Sequence, residues 1–132
     1  MINKCYIKKA LTAREHEPVL EASKILRDTQ KRNLVVINSK DMPIGFLSVV
    51  DINNRVIADD KKPNSVKISE IMTKDIISIE ETESLDSAIE KMMDKNLLSC
   101  PVTRENKLIG VVDFREIVSS FQKKSWGGLS GP

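Results

Sequence analysis

The chain has 132 residues, 40% of them hydrophobic and 30% charged, with 21 basic against 19 acidic side chains and a formal charge of +2. That composition excludes disorder, and the near balance of charge leaves no electrostatic footprint for nucleic acid or an anionic membrane surface. No run approaches the roughly 20 apolar residues that span a bilayer, and the first ten residues hold no signal-peptide core, so a soluble cytoplasmic protein is expected.

In chain order, Tyr6 to Ala13 is a short apolar segment that predicts a first strand. The polar turn Glu15-His16-Glu17-Pro18 opens a helix with Val19, Ala22, Ile25 and Leu26 on one stripe, and Pro18 suits its first turn. Leu34-Val35-Val36-Ile37 and Ile44 to Val49 flank the turn Asn38 to Pro43 and predict a strand pair. A helix over Val50 to Ala58 follows, and Asp59 to Ser65, charged and ended by Pro63 and turn formers, reads as a connector.

The same order then returns. Ile76 to Ile79 is apolar, and the turn Glu81-Thr82-Glu83-Ser84 offers Thr82 or Ser84 as an N-cap. Leu85, Ala88, Ile89, Met92 and Met93 fall at i, i+3, i+4, i+7 and i+8 of a helix. Methionines at that spacing read as core before they read as a soft ligand surface. Cys100-Pro101-Val102 and Leu108 to Val112 flank the turn Arg104 to Lys107, and Phe114 to Phe121 predicts a closing helix. Ser125 to Pro132, with three glycines and the sole tryptophan, reads as a mobile tail in which Trp126 either anchors locally or docks on a partner.

The recurrence is a duplication. Shifted by 66 positions, Lys8 meets Lys74, Glu15 meets Glu81, Glu17 meets Glu83, Ala22 meets Ala88 and Val36 meets Val102. Past the turn near position 40 the offset is 65, and Ile44-Gly45 meets Ile109-Gly110. A turn is where a deletion is tolerated.

Three stretches carry a family resemblance: Val66-Lys67-Ile68-Ser69-Glu70-Ile71-Met72-Thr73, Gly45-Phe46-Leu47-Ser48-Val49-Val50-Asp51, and Cys100-Pro101-Val102 with Gly110-Val111-Val112. Their motifs and tandem order resemble the cystathionine-β-synthase (CBS) domain family, whose members occur as pairs called Bateman modules. The resemblance implies an α/β (α+β) fold of two pseudo-symmetric β-α-β-β-α units packed through their sheets. The expected boundaries are 5–58 and 71–121 for the units, 59–70 for the linker and 122–132 for the tail. It also implies clefts for an adenosyl effector (AMP, ADP, ATP or S-adenosylmethionine), no required cofactor, a homodimer and a separate regulated protein.

Carried onto these residues, the resemblance places one cleft at Ala10, Leu11, Val35, Val36, Gly45, Ser48 and Asp51. Ser48 lies at a strand end before a helix, where its hydroxyl and neighbouring N–H groups can donate to a phosphate. The Asp51 carboxylate can accept from both ribose hydroxyls. Backbone near Ala10 and Leu11 would read the adenine edge. Equally, Ser48 and Asp51 can cap the helix and nothing more. The second cleft, Ile76, Ile77, Pro101, Val102, Asp113 and Glu116, departs from the pattern. Asp113 stands where the family has Ser or Thr and would repel a phosphate, so this cleft is expected to be weaker, to prefer an unphosphorylated nucleoside moiety, or to be empty.

No catalytic constellation is legible. His16 is the sole histidine and sits in a charged turn, Cys5 and Cys100 read as small buried thiols, no metal site is expected, and no phosphate loop of the Gly-Lys-Ser/Thr type occurs. Two further readings compete with a nucleotide sensor: an interaction module with empty clefts, and a nucleic-acid regulator, which the charge balance disfavours.

Overall fold

The computed structural model describes the backbone of residues 1–127 and the side chains of residues 1–120. Residues 128–132 of the expected tail, and the Trp126 side chain with its two readings, lie outside the described residues. In chain order the elements are a 3₁₀ turn Lys4–Tyr6, β1 Thr12–Arg14, α1 Val19–Thr29, β2 Asn33–Ile37, β3 Pro43–Ser48, α2 Val49–Ile52, a π-helical turn Asn53–Ile57 and a 3₁₀ turn Pro63–Ser65. There follow α3 Ile68–Ile71, β4 Ile79–Glu80, α4 Leu85–Asp94, β5 Ser99–Arg104, β6 Lys107–Asp113 and α5 Phe114–Gly127. The first strand of each copy is shorter and later than the apolar segment that predicts it, and α5 runs six residues past the expected Phe121.

Two compact units divide the chain. One holds residues 10–76 with 106–108, the other residues 1–9 with 77–105 and 109–132. Each carries a three-stranded sheet, β1-β2-β3 or β4-β5-β6. In the first, β1 pairs parallel with β2 and β2 antiparallel with β3. The parallel step needs a crossover, and α1 supplies it.

The first unit's core joins Ala13, Val19, Ala22, Leu26, Leu34, Val36, Leu47 and Val56 to Val66, Ile68, Ile71 and Met72. The last four come from the segment leading into copy two, which therefore packs with copy one. Thr73 and Phe46 exchange backbone bonds of 2.8 and 2.9 Å. In the other unit Lys8 and Val111 do the same, at 2.8 and 2.9 Å, and Ile2, from the N-terminus, is buried among Ile79, Met92, Val102 and Ile117. Each unit is thus completed by the lead-in of the other repeat.

The two glycines sit where these lead-ins cross. A Cβ on Gly45 would meet Met72 Sδ at 2.8 Å and Thr73 O at 2.9 Å; one on Gly110 would meet Lys8 O at 2.5 Å and Ile7 Cγ2 at 2.6 Å. Only a residue without a side chain lets the strands approach so closely.

Capping follows the repeat as well. Ser84 Oγ accepts from Ser87 N at 3.1 Å, so Ser84 rather than Thr82 caps α4. Pro18 caps α1 without a side-chain bond. Glu17 Oε1 accepts from Arg14 N at 3.1 Å and Glu83 Oε2 from Glu80 N at 2.8 Å, one bond repeated at an offset of 66.

Candidate functional site

In the first unit β3 runs into α2 at Ser48, whose extended backbone ends the strand. Ser48 Oγ accepts from Asp51 N, and Asp51 Oδ2 accepts from Ser48 N, each at 3.0 Å. This reciprocal pair satisfies two donors that a helix start leaves open. The capping alternative is therefore realised. It does not exhaust the groups: Ser48 accepts and so keeps its hydroxyl proton to donate, and among the described residues Asp51 Oδ1 has no hydrogen-bond partner. Both side chains are half-buried.

The other residues expected at this cleft are distributed over the sheet. Leu11 lies just before β1, half-buried, and its carbonyl accepts from Val35 N at 2.8 Å, so that oxygen already has a partner. Ala10 precedes it, also half-buried. Val35 and Val36 project to opposite faces of β2, as adjacent strand residues must. Val36, fully buried, belongs to the core with Leu34 and Leu47, while Val35 pairs with Phe46 across the sheet. Gly45 faces the core side and its open space is taken by Met72 and Thr73. Ser48, Asp51 and the Ala10–Leu11 backbone thus remain the polar groups that a ligand on this unit could use.

In the other unit Asp113 ends β6 and caps α5. Its Oδ1 accepts from Arg115 N at 2.8 Å and Glu116 N at 3.2 Å, and Arg115 Nη2 lies 3.6 Å from its Oδ2. Glu116, at the position equivalent to Asp51, pairs with Lys8 Nζ at 3.3 Å. Sequence reading missed that pair, since 108 positions separate the partners. Val102 is fully buried in the core and Pro101 is buried beside it. Ile76 closes the first unit's span of chain and Ile77 opens the next. The Ile77 carbonyl accepts from Cys100 Sγ at 3.4 Å, where copy one uses Val35 N; Pro101, the equivalent of Val35, has no N–H to give.

Burial pushes the Cys100 thiol up to about 12, a larger influence than Lys91, which lowers it, or Glu83, which raises it. His16 is exposed in its turn. Among the described residues no cluster of His, Cys, Asp or Glu has the arrangement of a metal site, and no helix is long and apolar enough to cross a membrane. A cavity of about 570 Å³ lies on α4 and α5, and none of its lining residues belongs to either expected cleft.

A family model described as the CBS domain matches residues 4–58 and again 68–123. An uncharacterized protein of Bacillus subtilis, YlbB, is 32% identical over 111 residues, covering 83% of this chain and 74% of its own length. An uncharacterized protein of Methanopyrus kandleri is 30% identical over 109 residues, and the chain spans only 56% of it. Among solved structures, the CBS domain pair of the protein MJ0100, in complex with 5′-methylthioadenosine and S-adenosyl-L-methionine, is 28% identical with a TM-score of 0.72 and covers 92% of this chain and 95% of its own.

Proposed function

Since the chain belongs to the CBS domain family, as a tandem pair, we propose that it is a regulatory module that binds an adenosyl ligand, performs no chemistry on it, and passes its occupancy to a separate effector protein. The observation that carries this reading is the likeness, over nearly the full length of both chains, to a domain pair solved with two adenosyl compounds. AMP, ADP, ATP and S-adenosylmethionine are the candidate ligands.

The ligand's ribose and first phosphate would meet the β3–α2 junction. Ser48 has a proton to donate and Asp51 Oδ1 can accept from ribose hydroxyls, which is the complementarity such a group needs. The second cleft is the weaker. Asp113 has no proton for a phosphate, and Glu116 would have to exchange Lys8 for the ribose. The module works in the cytoplasm, where adenylates are sensed, as a homodimer. Val50 and Ile57, 59% and 57% exposed, are apolar surface that such an assembly would cover.

Calorimetric titration with the four ligands tests the reading. About one bound ligand per chain supports it, with copy one as the working cleft. Absence of heat with all four, together with no thermal stabilisation, would replace it by an interaction module. The closed Ser48–Asp51 capping pair is the observation that favours that second reading.

A further inference from the structure

Each repeat enters its second strand through a different pair of side chains. Copy one has Lys31-Arg32 ahead of Asn33, and copy two has Leu97-Leu98 ahead of Ser99, at the repeat offset of 66. The backbone there is the same in both. Val49 N donates to the Arg32 carbonyl at 2.9 Å, and Phe114 N donates to the Leu98 carbonyl at 2.8 Å. Each bond ties the pair to the residue that follows Ser48 or Asp113, and Asn33 lies opposite Ser48 in the register of β2 and β3. Arg32 thus puts a long cationic side chain at the Ser48–Asp51 junction, where copy two has Leu98, apolar and 63% exposed. The fold does not require a cation at this position, because the sister repeat is built without one.

Arg32 also stands apart from the other arginines. Arg14, Arg27, Arg104 and Arg115 are ion-paired with Asp41, Asp28, Glu81 and Asp113, and Arg55 donates to the Ile71 carbonyl at 2.7 Å. Arg32 is exposed, and among the described residues neither it nor Lys31 has an acidic partner. Asp51, the acid at the same junction, spends Oδ2 on Ser48 N. Copy one therefore keeps spare positive charge where copy two keeps none: there Arg115 and Lys8 are already engaged by Asp113 and Glu116.

We propose that the residue before the second strand sets which 5′ substituent each junction accepts. Arg32, with Lys31 beside it, selects a 5′-phosphorylated adenosyl ligand in copy one, and Leu98 with Asp113 selects one with an uncharged, apolar 5′ end in copy two. This inference rests on the adenosyl reading above and deepens it with residues that the expected clefts did not contain. A guanidinium offers a phosphate two parallel donors and full charge, which a serine hydroxyl alone does not. An exposed leucine beside a carboxylate offers a phosphate neither, and gains by covering itself with apolar surface.

The test is calorimetry on the whole chain with AMP and with 5′-deoxyadenosine, read as the ratio of the two affinities. Arg32→Leu installs the side chain that copy two already carries and is expected to lower the ratio about tenfold, the weight of one hydrogen bond between charged groups. Arg32→Lys keeps the charge and should retain most of the preference for AMP. A purely structural or solvated Arg32 would leave the ratio where it is, whatever happens to the separate affinities. The double variant Leu98→Arg/Asp113→Ser, whose serine can still cap α5, is expected to gain a second AMP site. An unchanged ratio in Arg32→Leu, or no second AMP site in a double variant that melts like the parent, overturns the proposal. Failure of the adenosyl reading itself looks different: neither ligand gives heat with the parent chain, and this inference falls with it.

Discussion

At the scale of single residues, one position in each repeat, Ser48 and Asp113, has been filled by different chemistry for the same structural duty. Both cap a helix, but only the hydroxyl keeps a proton after accepting. Asp51→Ala removes the acceptor offered to ribose and one capping bond. The expected result is a loss of adenosyl affinity of roughly ten- to a hundredfold, the weight of a hydrogen bond to a charged group. The stability loss should stay near ~1 kcal/mol, the usual weight of a cap. Titration calorimetry and urea unfolding measure the two, and an unchanged affinity would remove Asp51 from the site. The cysteines differ as sharply. Both were expected to be buried, yet Cys5 is exposed on the short 3₁₀ turn, while burial holds the Cys100 thiol up to about 12, so Cys100 carries no thiolate near neutrality. A chromogenic disulfide reagent at pH 8 is expected to label one thiol in the native chain and the second only on unfolding. Two fast thiols would contradict the buried placement of Cys100.

At the scale of elements, the crossings at Gly45 and Gly110 and the brackets ahead of α1 and α4 decide how each unit closes. Gly110→Ala places a methyl 2.5 Å from a backbone oxygen that Val111 holds in place, and the strand must shift. We expect a loss of roughly 1–3 kcal/mol in denaturant unfolding, the range for overpacking. Burial, the largest single influence on Glu83, raises its carboxyl, but bonds from Lys91, the Glu80 N–H and Ser87 together hold it below the usual range. Its contribution is therefore complete above the unfolded value near 4.3 and is lost as pH falls through the lower folded value. Glu83→Gln should flatten the acid limb of the stability curve below about pH 4.5, and an unaltered limb would mean that the bracket contributes nothing. Much of this level was legible in the sequence. The stripes of α1 and α4, the strand pairs and the Ser84 cap depend on neighbours within a few positions. The β-branched run of β2 was read as a strand, yet grouping Val35 with Val36 in one cleft ignored the alternation that puts them on opposite faces. Gly45, placed in the cleft as a point of close backbone approach or tight packing, does have such neighbours, and they are the chain's own Met72 and Thr73. Neither those neighbours nor the Lys8–Glu116 pair could be found from local pattern, which does not say which copy a lead-in joins.

For the whole molecule, the exchange of lead-ins makes the repeat boundary the wrong place to cut. A first half ending at Lys62 keeps β1, α1, β2, β3 and α2 but loses Val66, Ile68, Ile71 and Met72 from its core. At roughly 1.5–3 kcal/mol for each buried apolar side chain, the loss is comparable with the whole stability of a small domain, about 5–15 kcal/mol. The second half loses buried Ile2, the Tyr6 and Ile7 packing, and the Lys8–Val111 bonds. Residues 1–62 and 63–132, made separately, are therefore each expected to show little helix by circular dichroism and no cooperative melt. Mixed at equal concentration, each supplies the segment the other lacks, and helical signal and a single melt should return in a concentration-dependent way. A cooperative melt from either half alone would show that its core tolerates the missing lead-in, and the glycines at the crossings would then need another explanation than close approach.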